Sequence, residues 1–298
     1  MLLRLRYKPI SNFLACALTD IMKHPLSLYF SPTGGGEKIA HSIQNGMDAN
    51  DCDYLYSLNL TKEPLTELSG KCDGDLPVIF TVPVYGGHMP KIAAERFDKV
   101  RGTGRQPAIL VAAYGNRAFE NALTDLDAFV RERGFVPVAA AAFPCEHSYS
   151  SESTPIAAGR PDDADLKSAE EFGRQIRERL QSGNPTSVNT SDLKDEASPE
   201  TSLKNFVSFV KEYQARQANA PKVYIPALDS DRCVECGECR QICPTGAIRE
   251  DFSTNAALCI KCCACVKTCP AGARTFQSPF AIPLSENFAD RKSTRWIL

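Results

Sequence analysis

A chain of 298 residues is long enough for two domains, and its 34 lysines and arginines against 36 aspartates and glutamates leave a net charge of −2. That balance offers no basic surplus for nucleic acid, and 43% hydrophobic residues describe an ordinary soluble protein. Eight of the thirteen cysteines fall in two regular runs near the C-terminus; the other five (Cys16, Cys52, Cys72, Cys145, Cys263) are scattered and odd in number. This disfavours a disulfide framework and favours a reducing cytoplasm.

The first 24 residues imitate an export signal, with a basic start and a short apolar run ending near Cys16. The run is too short for a membrane span, and Lys8 and Pro9 interrupt what precedes it. Met22 is the expected natural start. Residues 26–30 then form a short apolar strand running into SPTGGGEKIAHSIQNG, where Gly34, Gly35 and Gly36 open a helix with Ile39, Ile43 and Met47 on one face. Strand, glycine-rich turn and helix aim backbone N–H groups at a phosphate, and Ser31 and Thr33 add hydroxyls. The turn is neither G-x-G-x-x-G nor a Gly-Lys-Ser/Thr loop, so a nucleoside triphosphate is not expected.

Further strands are expected over 54–60, 78–82, 108–113 and 135–143. Helices are expected over 91–100, over 119–133, and from an Asp162 N-cap to about residue 180. The alternation predicts an α/β fold with a doubly wound, five-stranded parallel sheet in the order 2-1-3-4-5, its ligand beyond the carboxyl ends of the strands. Three loops reach that end: 31–36, PVYGGHMP (83–90) and AYGNRAFENA (113–122). Pro83, Val84, Tyr85 and Gly86 in one, and Tyr114, Gly115 and Asn116 in another, suit a planar ligand. Tyr85 and Tyr114 could equally pack the loops, and Asn116 with Arg117 could cap the following helix. His88 reads as a solvated loop histidine. Cys145, Glu146 and His147 make a hydrolase-like trio on paper, but adjacent residues rarely aim at one reacting atom.

Residues 182–197 are polar and read as a linker. Ser198 and Pro199 start a helix whose Leu203, Phe206, Val207, Val210 and Tyr213 share one face, expected to pack between domains. Beyond it, C-x2-C-x2-C-x3-C-P occurs twice, offset by 26 residues. Soft thiolates at these intervals hold iron–sulfur clusters, and in two-cluster ferredoxins the fourth cysteine of each run serves the other cluster. One 4Fe-4S cluster is therefore expected on Cys233, Cys236, Cys239 and Cys269, the second on Cys259, Cys262, Cys265 and Cys243. Zinc or disulfides are the alternatives, but tandem four-cysteine runs are not the layout of zinc ribbons or fingers. Cys263 falls off the repeat and reads as a bystander. The tail beyond Pro279 carries little signal apart from Trp296.

Ser31-Pro32-Thr33-Gly34 resembles the phosphate loop of flavodoxins. Together with the cysteine repeat, the chain resembles the flavodoxin–ferredoxin fusion proteins (the EFR1-type family) over nearly its whole length, the loop EHSYSSESTPIAAGRPDDADL (146–166) included. The resemblance implies FMN held by Ser31, Thr33, Gly34, Gly35 and Gly36 at its phosphate and by the 83–86 and 114–116 loops at its ring. Gly36 departs from the family, which commonly has a hydroxyl residue there. The implied organisation is an extension (1–24), a flavodoxin-like FMN domain (25–181), a linker and connecting helix (182–221), a small α+β ferredoxin domain (222–280) and a tail (281–298). The expected function is cytoplasmic electron transfer, relaying electrons between FMN and two 4Fe-4S clusters for a partner oxidoreductase, with no membrane span. The alternative is a flavin-dependent reductase acting on its own small-molecule substrate. No catalytic residue is assigned.

Overall fold

The computed structural model describes residues 25–48, 57–65, 76–183 and 185–298. The expected extension with Met22 and Cys16, the cysteines Cys52 and Cys72, and the start of the second expected strand lie outside the described residues. Strands β1 (Leu26–Tyr29), β2 (Ser57–Asn59), β3 (Val78–Pro83), β4 (Gln106–Tyr114) and β5 (Phe135–Pro144) pair in parallel in the order β2-β1-β3-β4-β5. This is the flavodoxin-like order, whose switch point lies between β1 and β3.

Alternation along the strands builds a core on each face. Leu28, Phe80, Val82, Leu110 and Ala112 face one side, where helices α2 (Lys91–Phe97) and α3 (Ala122–Arg131) supply Phe97, Leu126 and Val130. Ile79, Ile109, Val111 and Ala141 face the other, covered by Ile39 and Ile43 of α1 (Gly35–Met47) and by Phe172 and Ile176 of α4 (Asp163–Gln181). Each of the buried valine, leucine, isoleucine and phenylalanine side chains contributes about 1.5–3 kcal/mol. Asp162 starts α4 as expected: its carboxylate accepts the N–H groups of Ala164 and Asp165, and Asp165 accepts the N–H of Asp162. Helices α1 and α4 meet backbone to backbone. A Cβ on Gly46 would lie 1.9 Å from the Glu170 carbonyl oxygen, and one on Gly173 2.1 Å from that of Ile43, so only glycine fits at either point.

Two segments differ from expectation. Residues 281–298 contain α8 (Ala281–Asn287) and β8 (Arg295–Ile297), which joins β5 antiparallel as a sixth strand. There Trp296 packs on Phe172 with ring centroids 5.6 Å apart and donates from Nε1 to Gln175. The polar 185–198 segment is docked rather than solvated. Val188 and Leu193 are buried in the first core, and the Asp195 carboxylate accepts the N–H groups of Phe119 and Glu120 at 2.7 and 3.0 Å. Its polar side chains serve as caps, which composition alone does not distinguish from solvation.

Helix α5 (Glu200–Asn219) buries no residue completely. Leu203 and Val207 of its expected stripe are 44% and 50% exposed, while Phe206, Phe209 and Tyr213 gather around Phe280. The cysteine-rich region follows, with β6 (Ala227–Leu228) antiparallel to β7 (Arg274–Thr275), and with short helices α6 (Glu238–Ile242) and α7 (Ala264–Thr268) between them. The sequence repeat is also a backbone repeat. Left-handed residues pair as Glu235/Lys261, Gly237/Cys263 and Gly246/Gly272, each pair at the same 26-residue offset as α6 and α7. Among the described residues no helix is long and apolar enough to cross a membrane.

Candidate cofactor sites

The carboxyl ends of β1, β3, β4 and β5 open into a cavity of about 520 Å³. Ser31, Thr33, Gly35 and Gly36 line it from the first loop, the 83–87 turn from the second, Tyr114 and Gly115 from the third, and residues 145–149 after β5. Its remaining wall comes from far along the chain: Phe206 and Val210 of α5, Phe280 and Leu284 at α8, and Ile260 with Lys261. The last two stand between Cys259 and Cys262.

In the first loop, Gly34 adopts a left-handed φ of 82° and caps α1 while its N–H donates to the Ser31 carbonyl. Gly34 shapes the turn and is not among the lining residues. The Ser31 hydroxyl accepts the Glu37 N–H at 3.1 Å, and Thr33 is exposed at the mouth. The N-terminus of α1 thus faces the cavity with backbone donors suited to a phosphate. A Cβ on Gly36 would lie 3.3 Å from Thr81 Cγ2 and 3.4 Å from Ser31 Oγ. The first turn of α1 presses on β3 there, which leaves little room for a hydroxyl residue.

In the second loop, Tyr85 and His88 exchange backbone hydrogen bonds and so close a tight turn. Burial, followed by Cys262, Tyr149 and Cys263 as neighbours, raises the Tyr85 phenol well above its ordinary value. Some of the Tyr85 surface stays exposed, and it faces the cavity. His88 is exposed and pairs with Asp125, as a solvated loop histidine does. The third loop differs from expectation. Tyr114 reaches the cavity but its ring is 2% exposed and sits edge-on to Phe119 in the core. Asn116 turns away altogether. Its Nδ2 donates to the carbonyls of Phe288 and Asp290, both at 2.8 Å, so it pins the C-terminal segment and is not part of the lining.

Cys145, Glu146 and His147 diverge, which dissolves the paper trio. Cys145 Sγ donates to the Phe143 carbonyl and packs against Gly35, and burial pushes the thiol up to about 12. Glu146 accepts from Lys267 and from the Gly159 N–H. His147 Nδ1 accepts the N–H of Tyr149 at 3.0 Å.

Cys243 lines a small second cavity with Cys259, Cys262 and Cys265, and its Sγ accepts the Ala247 N–H at 3.2 Å. A thiolate joined to three thiolates of the other run, and receiving a backbone donor, suits a cluster ligand. In the first run Cys236 is exposed, and its neighbour Val234 is 66% exposed. Cys263 is buried and directs its thiol at the Lys261 carbonyl. Among the described residues no His, Cys, Asp or Glu group is gathered to hold a single metal ion; a cubane spreads its four thiolates over four irons. Polar pins tie this region to the sheet domain. Arg96 donates to the Pro244 carbonyl at 2.7 Å, and Lys267 donates to Glu146 at 2.5 Å and to the Ser150 carbonyl at 2.8 Å.

A model of the 4Fe-4S binding domain family matches residues 226–249. The chain therefore carries a 4Fe-4S binding domain. That gives it a redox role. Among curated proteins nothing matches. Among solved structures, a flavodoxin from the domain Archaea is 17% identical over 53% of this chain and 98% of that chain, with a TM-score of 0.37. The Flv1 flavodiiron core from Synechocystis is 19% identical over 56% of this chain and 38% of that chain (TM-score 0.39). A WrbA-like flavodoxin from Agrobacterium tumefaciens is 16% identical over 54% and 98% (TM-score 0.37). The strand order, not these similarities, carries the fold. The wall that Phe206, Val210, Phe280, Ile260 and Lys261 supply had no signal in the sequence beyond the aromatic stripe of α5, because it forms only when distant segments meet.

Proposed function

We propose that the chain is an electron-transfer protein that holds FMN in the large cavity and two 4Fe-4S clusters on eight cysteines, relaying electrons for a partner oxidoreductase. The observation that carries this reading is the shared wall: the loops at the strand ends and the Ile260–Lys261 pair between two cysteines line one cavity. In this reading Ser31, Thr33 and the N–H groups of Gly35 and Gly36 hold the phosphate, and Pro83, Val84, Tyr85, Gly86, Tyr114 and Gly115 flank the ring. FMN exchanges one or two electrons and each cluster passes one, so the pair converts between the two kinds of chemistry.

Cys243, Cys259, Cys262 and Cys265 hold the inner cluster, next to the cavity. Cys233, Cys236, Cys239 and Cys269 hold the outer one, which meets the partner through the exposed Cys236. The residues of the chain fix the two sites against one another: Arg96 through Pro244, which follows Cys243, and Glu146 through Lys267. The flavin unit is residues 25–181 completed by β8, and the cluster unit is residues 222–280. A compartment without oxidising chemistry, the cytoplasm, fits thiolate ligands.

The apolar end of the cavity, at Phe206, Val210, Phe280 and Leu284, favours a second reading in which the flavin reduces a small bound molecule. Anaerobic reconstitution with iron, sulfide and flavin counted per chain tests the main reading. About eight irons, four per cubane, and one FMN are expected; four irons, or no flavin, would overturn it. Bleaching of the flavin band by NAD(P)H alone would favour the reductase.

A further inference from the structure

The loop after β5 brings to the cavity a side chain that the expected flavin contacts do not include. His147 is among the lining residues, and its Nδ1 accepts the Tyr149 N–H at 3.0 Å. A ring nitrogen that accepts carries no proton, so the neutral imidazole bears its hydrogen on Nε2. Among the described residues Nε2 has no hydrogen-bond partner. The ring is also fixed in place. Tyr149 lies against it with centroids 4.7 Å apart, and on another side the Gly115 backbone comes so close that a Cβ there would sit 2.2 Å from His147 Cδ2.

His147 lies deep in the protein yet keeps exposed surface, and both hold because that surface belongs to the cavity. Burial, then the positive charges of Arg117 and Lys267, lowers its pKa to about 4. The cavity therefore receives a neutral, orientation-locked N–H donor with no acceptor among the described residues. A donor held in one orientation at the cavity wall can be taken up by a bound ligand at little ordering cost.

Resting on the assignment of FMN to this cavity, we propose that His147 is a cofactor-contacting residue whose Nε2–H donates to an acceptor atom of the flavin ring. The ring, rather than the phosphate, is the partner because His147 packs on Gly115 of the ring-flanking loop, whereas the phosphate donors lie at the start of α1. The glycine at 115 then has a second reason to be glycine: any side chain would displace the histidine.

The test measures FMN affinity by fluorescence quenching on the full, cluster-loaded chain under anaerobic conditions, for wild type, His147→Leu and His147→Gln. Iron content serves as the folding control. Loss of one net hydrogen bond predicts about fivefold to tenfold weaker FMN binding in the leucine variant and a shifted flavin absorbance. The glutamine variant, which keeps an N–H donor, recovers most of both. A leucine variant equal to wild type in affinity and absorbance, or a glutamine variant no better than leucine, overturns the proposal.

If the leucine variant does not load iron, nitrogen-15 histidine spectra of the wild-type chain decide. FMN should shift the Nε2 resonance of His147, and an unmoved resonance overturns the contact. A wild-type chain that binds no FMN overturns the flavin reading itself and this inference with it, an outcome distinct from the others.

Discussion

Lys267 donates to Glu146 at 2.5 Å, and this joins a lysine two residues from both Cys265 and Cys269 to a carboxylate on the wall of the large cavity. The two sites are thus held together by an ion pair as well as by packing. Burial alone would raise the Glu146 carboxyl. The hydrogen bond from Lys267, the Gly159 N–H and the Lys267 charge outweigh it and hold the group below the usual carboxylate range.

A carboxyl depressed in the folded state contributes stability above its unfolded value of about 4.3 and loses it as pH falls further. The pair should therefore hold at neutral pH and release only as pH falls below the usual carboxylate range. Both side chains are about a third exposed, so Glu146→Gln should cost only about 1 kcal/mol of stability. Its larger effect should be a several-fold slowing of flavin-to-cluster transfer with cofactor content unchanged. Transient absorbance on the two proteins checks this.

His147 predicts a second pH effect. Its folded pKa of about 4 lies below the ordinary 6.5, so the folded state keeps the ring neutral while the unfolded chain protonates it. That contribution is complete above pH 6.5, shrinks as pH falls from 6.5 to 4, and amounts to roughly 3 kcal/mol across the interval. Urea denaturation at pH 7.0 and pH 5.0 should show the loss in wild type and a smaller one in His147→Gln.

Gly46 and Gly173 predict a packing effect far from either cofactor. An alanine at either position sets a methyl about 2 Å from a carbonyl oxygen of the opposing helix, and neither backbone can give way cheaply. Each substitution should cost about 3 kcal/mol or more, lowering Tm by roughly 5–10 °C. Thermal melting of the single variants checks the pair.

Cys145 should not behave as a nucleophile. With its thiol pushed up to about 12 and directed at the Phe143 carbonyl, it should resist iodoacetamide at pH 8 in the folded chain and react once the chain is unfolded. Peptide mass mapping reads this at Cys145 alone. Rapid labelling of the folded protein would contradict the buried placement.

What the sequence revealed was what local spacing encodes. The period of Ile39 and Ile43, the apolar runs of β3 and β4, the Asp162 cap and the 26-residue cysteine offset each depend on neighbours within a few turns or on a repeat. What it concealed depends on pairing across long separations. β8 is three residues long and meets β5 from about 155 positions away, Asn116 is taken by carbonyls at 288 and 290, and Asp195 caps residues 119 and 120. None of these leaves a periodic trace. His147 was hidden differently: its adjacency to Cys145 and Glu146 suggested a trio, while its geometry is set by Tyr149 and Gly115.

The measurement that bears most directly on the central claim is electron transfer within a single chain. Anaerobically loaded protein is photoreduced at the flavin in a short pulse, and the flavin and cluster bands are followed at several protein concentrations. Flavin reoxidation and cluster reduction should proceed together, at a rate independent of concentration, because the cavity and the inner cysteine quartet share Ile260 as a wall. A rate proportional to concentration, or a reduced flavin that leaves the clusters oxidised, would contradict the account.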